Sequence, residues 1–247
     1  MRFLTNEPAL LIERPERILV VSDLHLGIEY EFYQAGIKVP SQMKKMAQKI
    51  KNLLKATLAK KLIILGDVKH KVPGLTWQEL REIPDFLEAM NSVTTVNIVP
   101  GNHDSMLKQV TPPEIEIYSN RGFRLGDFFF SHGHTWPSDD FLKAKCVITG
   151  HNHPQIRFKD RLGYVWMEPV WVKTKLKKEA LKKRYGKIKR SPKIIIMPAF
   201  NGFAGGMAVN RKKSNRNFIG PLVKCADMKK AKIYMLDGTY LGELSKL

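Results

Sequence analysis

The chain has 247 residues, 43% of them hydrophobic, which suffices for one folded unit, 1–247, with a sizeable core. Its 42 Lys+Arg against 23 Asp+Glu give a formal charge of +19, which points to nucleic acid (DNA or RNA) as partner; a solvated lysine-rich surface is the plain alternative. Cys146 and Cys225 have neither zinc-finger nor redox spacing, and no apolar run reaches the length of a membrane span or a signal peptide, so the expectation is a soluble cytoplasmic protein without disulfides or a membrane partner.

The first element is the apolar run Ile18-Leu19-Val20-Val21, which ends in Ser22-Asp23-Leu24-His25. An amphipathic helix is predicted from Ser41 to Leu58, with Met43, Met46, Ile50 and Leu54 on its buried face. Leu62 to Leu65 then runs into Gly66-Asp67. Thr76 and Glu79 form a capping box for a second helix to about Met90, which Pro84 is expected to kink or end early. Val96 to Val99 leads to Gly101-Asn102-His103-Asp104, Phe128 to Phe130 to Ser131-His132-Gly133-His134, and Val147 to Thr149 to Gly150-His151-Asn152-His153. Such runs read as strands buried on both faces, with polar clusters at their C-terminal ends, where open sheets place ligands.

Beyond Pro154, Tyr164 to Val172 and Lys193 to Met197 read as strands, and Ile233 to Leu244 as a hairpin about Asp237-Gly238. The tract from Lys173 to Lys193 holds eleven Lys or Arg and one acid, Glu179. Lys182, Lys183, Arg184, Lys187, Lys189 and Arg190 are its candidates for nucleic-acid contact, with Tyr185 to stack on an unpaired base. A second basic knot spans 211–216, and both segments are expected on the surface.

All seven His lie in or beside the strand-end clusters. A mixed Asp, Asn and His set suits divalent metals, and a shared carboxylate can bridge two of them at roughly 3.5–4 Å. Two cations neutralise an anionic phosphodiester and lower the pKa of bound water. Either His132 or His134 suits the fourth motif; His70 is either a contact to substrate or to a ligand carboxylate, or a hydrogen-bonded structural residue.

The order Asp23-x-His25, Gly66-Asp67, Gly101-Asn102-His103-Asp104, His132, Gly150-His151-x-His153 resembles the calcineurin-like metallophosphoesterases. Gly66-Asp67-Val68-Lys69-His70, with Met197 to Asn201 and Gly205 to Asn210, is most similar to the archaeal SbcD-related, ICC-like members. The resemblance implies an α+β fold, a four-layer αββα sandwich of two mixed sheets with flanking helices. It implies a dinuclear site for two divalent ions, most plausibly Mn2+ with Fe, Ni or Zn as alternatives. Asp23, His25 and His153 would hold one ion, Asn102, His132 and His151 the other, and Asp67 would bridge. His103 would protonate the leaving oxygen with Asp104 orienting it, and His134 would stand behind the ligands. The implied activity is phosphodiester hydrolysis by a metal-bound hydroxide, on nucleic acid or, alternatively, on small nucleotides.

Overall fold

Strand-length apolar runs bury both faces only when something packs on each side, and here two sheets lie face to face. The computed structural model describes residues 1–211 and 218–247, so most of the second basic knot, 212–216, lies outside the described residues. The first sheet has six strands in chain order: β1 (Arg2–Phe3), β2 (Leu10–Ile12), β3 (Ile18–Ser22), β4 (Lys61–Leu65), β5 (Thr95–Val99) and β6 (Glu116–Ile117). β3 to β6 are parallel, while β1 and β2 add antiparallel.

The second sheet has nine strands. They are β7 (Phe123–Leu125), β8 (Phe128–Phe130), β9 (Cys146–Thr149), β10 (Pro154–Lys159), β11 (Val165–Lys175), β12 (Lys193–Ile196), β13 (Met207–Ala208), β14 (Lys232–Met235) and β15 (Tyr240–Glu243). β8, β9 and β12 run parallel, and the long β11 pairs antiparallel with β10 and then β14 along successive parts of its length, and with β12 over Val172 to Lys175. The predicted strands are all present, and the hairpin turns at Asp237, whose carboxylate accepts the Thr239 amide.

The period-two alternation of strand side chains sorts the core into layers. Ile18, Val20, Ile63 and Leu65 from the first sheet meet Ile148, Trp171, Ile195 and Met197 from the second. The intervening Leu19, Val21, Leu62 and Ile64 face the other way, onto α2 (Met43–Thr57) and α3 (Trp77–Asn91), which follow α1 (Glu29–Gln34). Val147, Ile194 and Ile196 face outward from the second sheet onto α4 (Lys178–Tyr185) and α5 (Pro221–Lys224), through Leu181, Leu222 and Val223. The result is the expected four-layer αββα sandwich.

Thr76 and Glu79 form the capping box of α3, but Pro84 does not stop the helix, which continues to Asn91. A mid-helix proline costs about 3 kcal/mol. The fully buried Ile83, Phe86, Leu87 and Met90 flank Pro84, and each such side chain stabilises by about 1.5–3 kcal/mol, so packing wins. Among the described residues no helix is long and apolar enough to cross a membrane.

Candidate metal centre

The five motifs meet at one edge of the sandwich, where β3, β4, β5, β8 and β9 all end. The turns that aim them are backbone-strained. Eight non-glycine described residues have positive φ, and five of them are Asp23 (57°), His25 (44°), Asp67 (48°), His151 (70°) and His153 (38°). L-residues avoid this region, so its concentration at one spot marks a functional site held by its surroundings. The holding bonds run between motifs: Asp23 N–H donates to Gly66 O at 3.1 Å and His25 N–H to Asp67 O at 2.7 Å. Asn201 accepts the Phe203 N–H in a turn and also donates to Leu24 O at 2.8 Å, fixing the Asp23–His25 loop. Gly101 is required by contact, since a Cβ there would fall 2.1 Å from Asp67 Oδ1.

Two groups of side chains have ligand atoms all within 4.8 Å of one another and share Asp67: Asp23, His25, Asp67 and His153, and Asp67, His132 and His151. In the first, His153 Nε2 lies 3.2 Å from Asp23 Oδ1 and His25 Nε2 lies 3.7 Å from Asp67 Oδ2. In the second, His132 Nε2 lies 3.4 Å from the same Asp67 Oδ2 and 3.2 Å from Asn102 Oδ1. One carboxylate oxygen therefore faces both groups. His132 Nδ1 is 3.0 Å from Leu65 O, an acceptor only, which places the ring hydrogen on Nδ1 and leaves Nε2 to the cluster.

Electrostatics match that division. Burial raises the carboxyls of Asp23 and Asp67, yet neighbouring His153 and His132 outweigh it, and both carboxylates are held below their ordinary range. Burial lowers His25 to about 3 and His151 to about 4, so both imidazoles are neutral. His132 is buried too, but Asp67 and Asp23 pull it up to about 9, and Asp23 likewise raises His153. Ionised carboxylates beside neutral imidazoles are the protonation states a cation requires, and a cation here would displace the protons of His132 and His153. The oxygen and imidazole donor set thus fits divalent ions.

His134 stands apart from both groups: its ring lies 5.2 Å from His132 and 6.0 Å from His151, and its Nδ1 is buried without a hydrogen-bond partner among the described residues. Asn152 points away from the cluster and clamps Ile219 by both its amide atoms, 2.9 and 3.2 Å.

His103 sits beside the first group, 4.9 Å between its ring and that of His25. Its backbone N–H donates to Asp67 Oδ1 at 2.9 Å. The expectation that Asp104 orients the His103 ring is corrected. Asp104 accepts the backbone N–H groups of Gly101 (2.7 Å) and Lys69 (3.2 Å), while His103 Nδ1 faces the carbonyl of His70 at 2.6 Å. Burial, with Asp67 nearby, pushes the Asp104 carboxyl up to about 6. Its side chain ties two loops together by their backbone, so the neighbouring sequence position gives no access to the imidazole.

His70 Nδ1 is 3.1 Å from His25 Nδ1, and its Nε2 makes a close contact of 3.0 Å with Glu31 Oε1. The candidate ligand it touches is thus the His25 imidazole, not a ligand carboxylate. Three side chains support this loop in ways the sequence pattern does not show. Glu79, legible only as a cap, also accepts His70 N–H at 2.9 Å and Lys71 N–H at 2.7 Å. Glu31 belongs to no motif. Lys69 is fully buried, its ammonium donating to the Lys71 carbonyl.

The basic tract divides. Lys173 and Lys175 belong to β11, and α4 follows. Lys183 and Arg184 line a cavity of about 820 Å3 that His134 also lines. Lys182 is paired with Glu179 at 2.8 Å, while Lys187, Lys189 and Arg190 are exposed beyond the helix. Tyr185 is not available for base stacking. It packs against Phe141 and Trp136, ring centroids 4.8 and 5.8 Å away, and its hydroxyl donates to Pro137 O at 2.9 Å. Leucine-poor α4 needs that anchor, because Leu181 is its one fully buried residue.

Residues 16–197 match the profile of the calcineurin-like phosphoesterase family. Among solved structures, the chain is similar to the nuclease MPE of Pseudomonas putida, at 19% identity and a TM-score of 0.54, over 93% of this chain and 97% of that one. It also aligns with Yfce, a phosphoesterase from E. coli, at 18% identity and a TM-score of 0.38, over 58% of this chain and 73% of that one. No curated protein matches the sequence.

Proposed function

As this chain belongs to the calcineurin-like phosphoesterase family, we propose that it hydrolyses phosphodiester bonds at a centre of two divalent metal ions, with nucleic acid as substrate. The observation that carries the reading is Asp67 Oδ2, which faces His25 at 3.7 Å and His132 at 3.4 Å and so joins two donor groups. Asp23, His25 and His153 would hold one ion and Asn102, His132 and His151 the other, with Asp67 shared between the two groups. Mn2+ fits this oxygen and nitrogen set, as do Fe, Ni and Zn. When bound, the ions neutralise the phosphate and lower the pKa of water towards about 7.

The chain's own residues do the rest. The Asp104 carboxylate and the Gly101 contact fix the loop that carries Asn102 and His103. The His70 carbonyl holds the His103 Nδ1 hydrogen, so Nε2 is the atom that delivers a proton to the leaving oxygen. The charge of +19 draws a polyanion to the surface. The nuclease fold of the Pseudomonas relative is consistent with that substrate, as a likeness of fold.

A hydrolysis panel tests the reading. Protein stripped by a chelator should be inactive and regain turnover with manganese, on bis-p-nitrophenyl phosphate and on single- and double-stranded DNA. Full activity after chelation would overturn the metal centre. Hydrolysis of cyclic nucleotides with none of DNA or RNA would move the substrate to small nucleotides.

A further inference from the structure

We infer that the cavity between α4 and α5 is a subsite that grips the backbone of single-stranded nucleic acid on the His134 side of the metal centre. This deepens the function proposed above and rests on it.

The cavity holds about 820 Å3 and is lined by His134, Trp136, Lys183, Arg184, Gly220 and Lys224, among others. Three cations converge there from two elements: Lys183 and Arg184 from α4, Lys224 from α5. Among the described residues no acidic side chain lines it. The acids near the tract are engaged elsewhere, Glu179 with Lys182 at 2.8 Å and Asp227 with Lys177 at 3.9 Å. Clustered cations without counter-charges are the chemistry of a phosphate-binding surface.

Its position decides the substrate class. His134 lines the cavity and is 5.2 Å from His132 and 6.0 Å from His151, ring to ring, so the groove begins where the second donor group ends. A phosphate in the groove and one at the metal centre belong to one continuous strand, which a mononucleotide cannot supply. The volume is in the range of small-ligand pockets, roughly 300–1,000 Å3, which is room for a short stretch of strand. Trp136 carries the Arg184 guanidinium over its ring at 5.8 Å, giving an aromatic and cationic wall of the kind that holds an unpaired base. His134 Nδ1, buried and unpartnered among the described residues, is a polar atom on the path between groove and metal centre.

The test compares two triple variants of equal charge change. One removes the groove cations (Lys183→Gln, Arg184→Gln, Lys224→Gln). The other removes cations of the same tract that do not line the cavity (Lys187→Gln, Lys189→Gln, Arg190→Gln). Binding of a fluorescent single-stranded oligonucleotide is read by anisotropy across a salt series, which needs no turnover. The groove variant should bind about tenfold more weakly or worse, and its log–log salt slope should flatten by about 2, at roughly 0.7 for each phosphate that is no longer neutralised. The second variant should weaken less on both counts. Equal effects in the two variants, parental binding by the groove variant, or competition by a mononucleotide as effective as that by the oligonucleotide would overturn the subsite. Duplex binding as tight as single-strand binding would do the same. Hydrolysis of bis-p-nitrophenyl phosphate by the parent protein is the separate check on the metal centre. A parent that cleaves the small diester but passes none of the binding criteria keeps its phosphoesterase function and loses the groove.

Discussion

The Nδ1 of His103 lies 2.6 Å from the carbonyl oxygen of His70, and this hydrogen bond sets how the imidazole can act. A carbonyl oxygen only accepts, so Nδ1 carries the hydrogen and Nε2 is the exchanging atom. His103→Ala should therefore reduce the rate by something like 10²–10⁴, the usual contribution of a positioned acid. Bound metal should stay near the parent value, because the His103 side chain belongs to neither of the two groups that share Asp67; it groups instead with His25 and His70. Steady-state rates on diesters with good and poor leaving groups give the check. Equal losses for both would rule out proton delivery.

Asp67→Asn should be more damaging, and differently so. The carboxylate faces His25 and His132 with one oxygen and accepts His103 N–H with the other. An amide lacks the charge to balance two cations, so purified variant should carry fewer than two ions per chain and turn over poorly. Elemental analysis beside an activity assay decides it. Full metal content with parental activity would remove Asp67 from the bridging position.

The same position should be reachable through its neighbour. A Cβ on residue 101 would sit 2.1 Å from Asp67 Oδ1 and 2.5 Å from its backbone nitrogen, neither of which can swing aside cheaply. Gly101→Ala should thus reproduce much of the Asp67→Asn deficit in bound metal. Gly202→Ala, where nothing lies within 4 Å of the added carbon, is the control and should bind metal as the parent does. Similar metal content in both variants would mean that the loop yields and the close approach is unimportant.

What is legible in the sequence follows a physical division. The strands of the core and the polar clusters at their ends can be read because residue type decides both: apolar β-branched runs bury, and Asp and His at strand ends have few other uses. β1, β2, β6, β7 and β13 escape, since two or three residues carry no readable period, and so does β10, whose Pro154-Gln155-Ile156-Arg157-Phe158-Lys159 opens on a proline. Roles set by direction rather than type also escape. Asp104 adjoins His103 in sequence but bonds the backbone of Gly101 and Lys69, and Tyr185 lies in a basic run but turns inward to Phe141. Charge counting finds the tract from Lys173 to Lys193, yet does not separate the cations that line the groove from those outside it.

Glu79 supplies the last prediction, because one buried side chain joins helix and active loop. Its Oε2 accepts Thr76 N–H at 2.7 Å and the Thr76 hydroxyl at 3.0 Å, closing the capping box of α3. Its Oε1 accepts His70 N–H at 2.9 Å and Lys71 N–H at 2.7 Å. Removing the carboxylate leaves three backbone donors without this partner. A lost cap costs about 0.5–2 kcal/mol and a buried orphaned donor about 1–3 kcal/mol. Partial relaxation towards water offsets some of this, so Glu79→Ala should lower stability by about 3–4 kcal/mol. For a chain of this length that is a fall in Tm of roughly 6–15 °C. Glu79→Gln keeps an oxygen for one side only and should fall between the two. Because the His70 carbonyl positions His103, the alanine variant should also lose turnover at temperatures where it remains folded, and more on a poor leaving group than on a good one. Thermal unfolding followed by circular dichroism, with rates measured well below the transition, separates the two effects. A parental Tm in Glu79→Ala would show that the loop and helix do not depend on this carboxylate, and a normal leaving-group dependence would show that the loop does not carry its position on to His103.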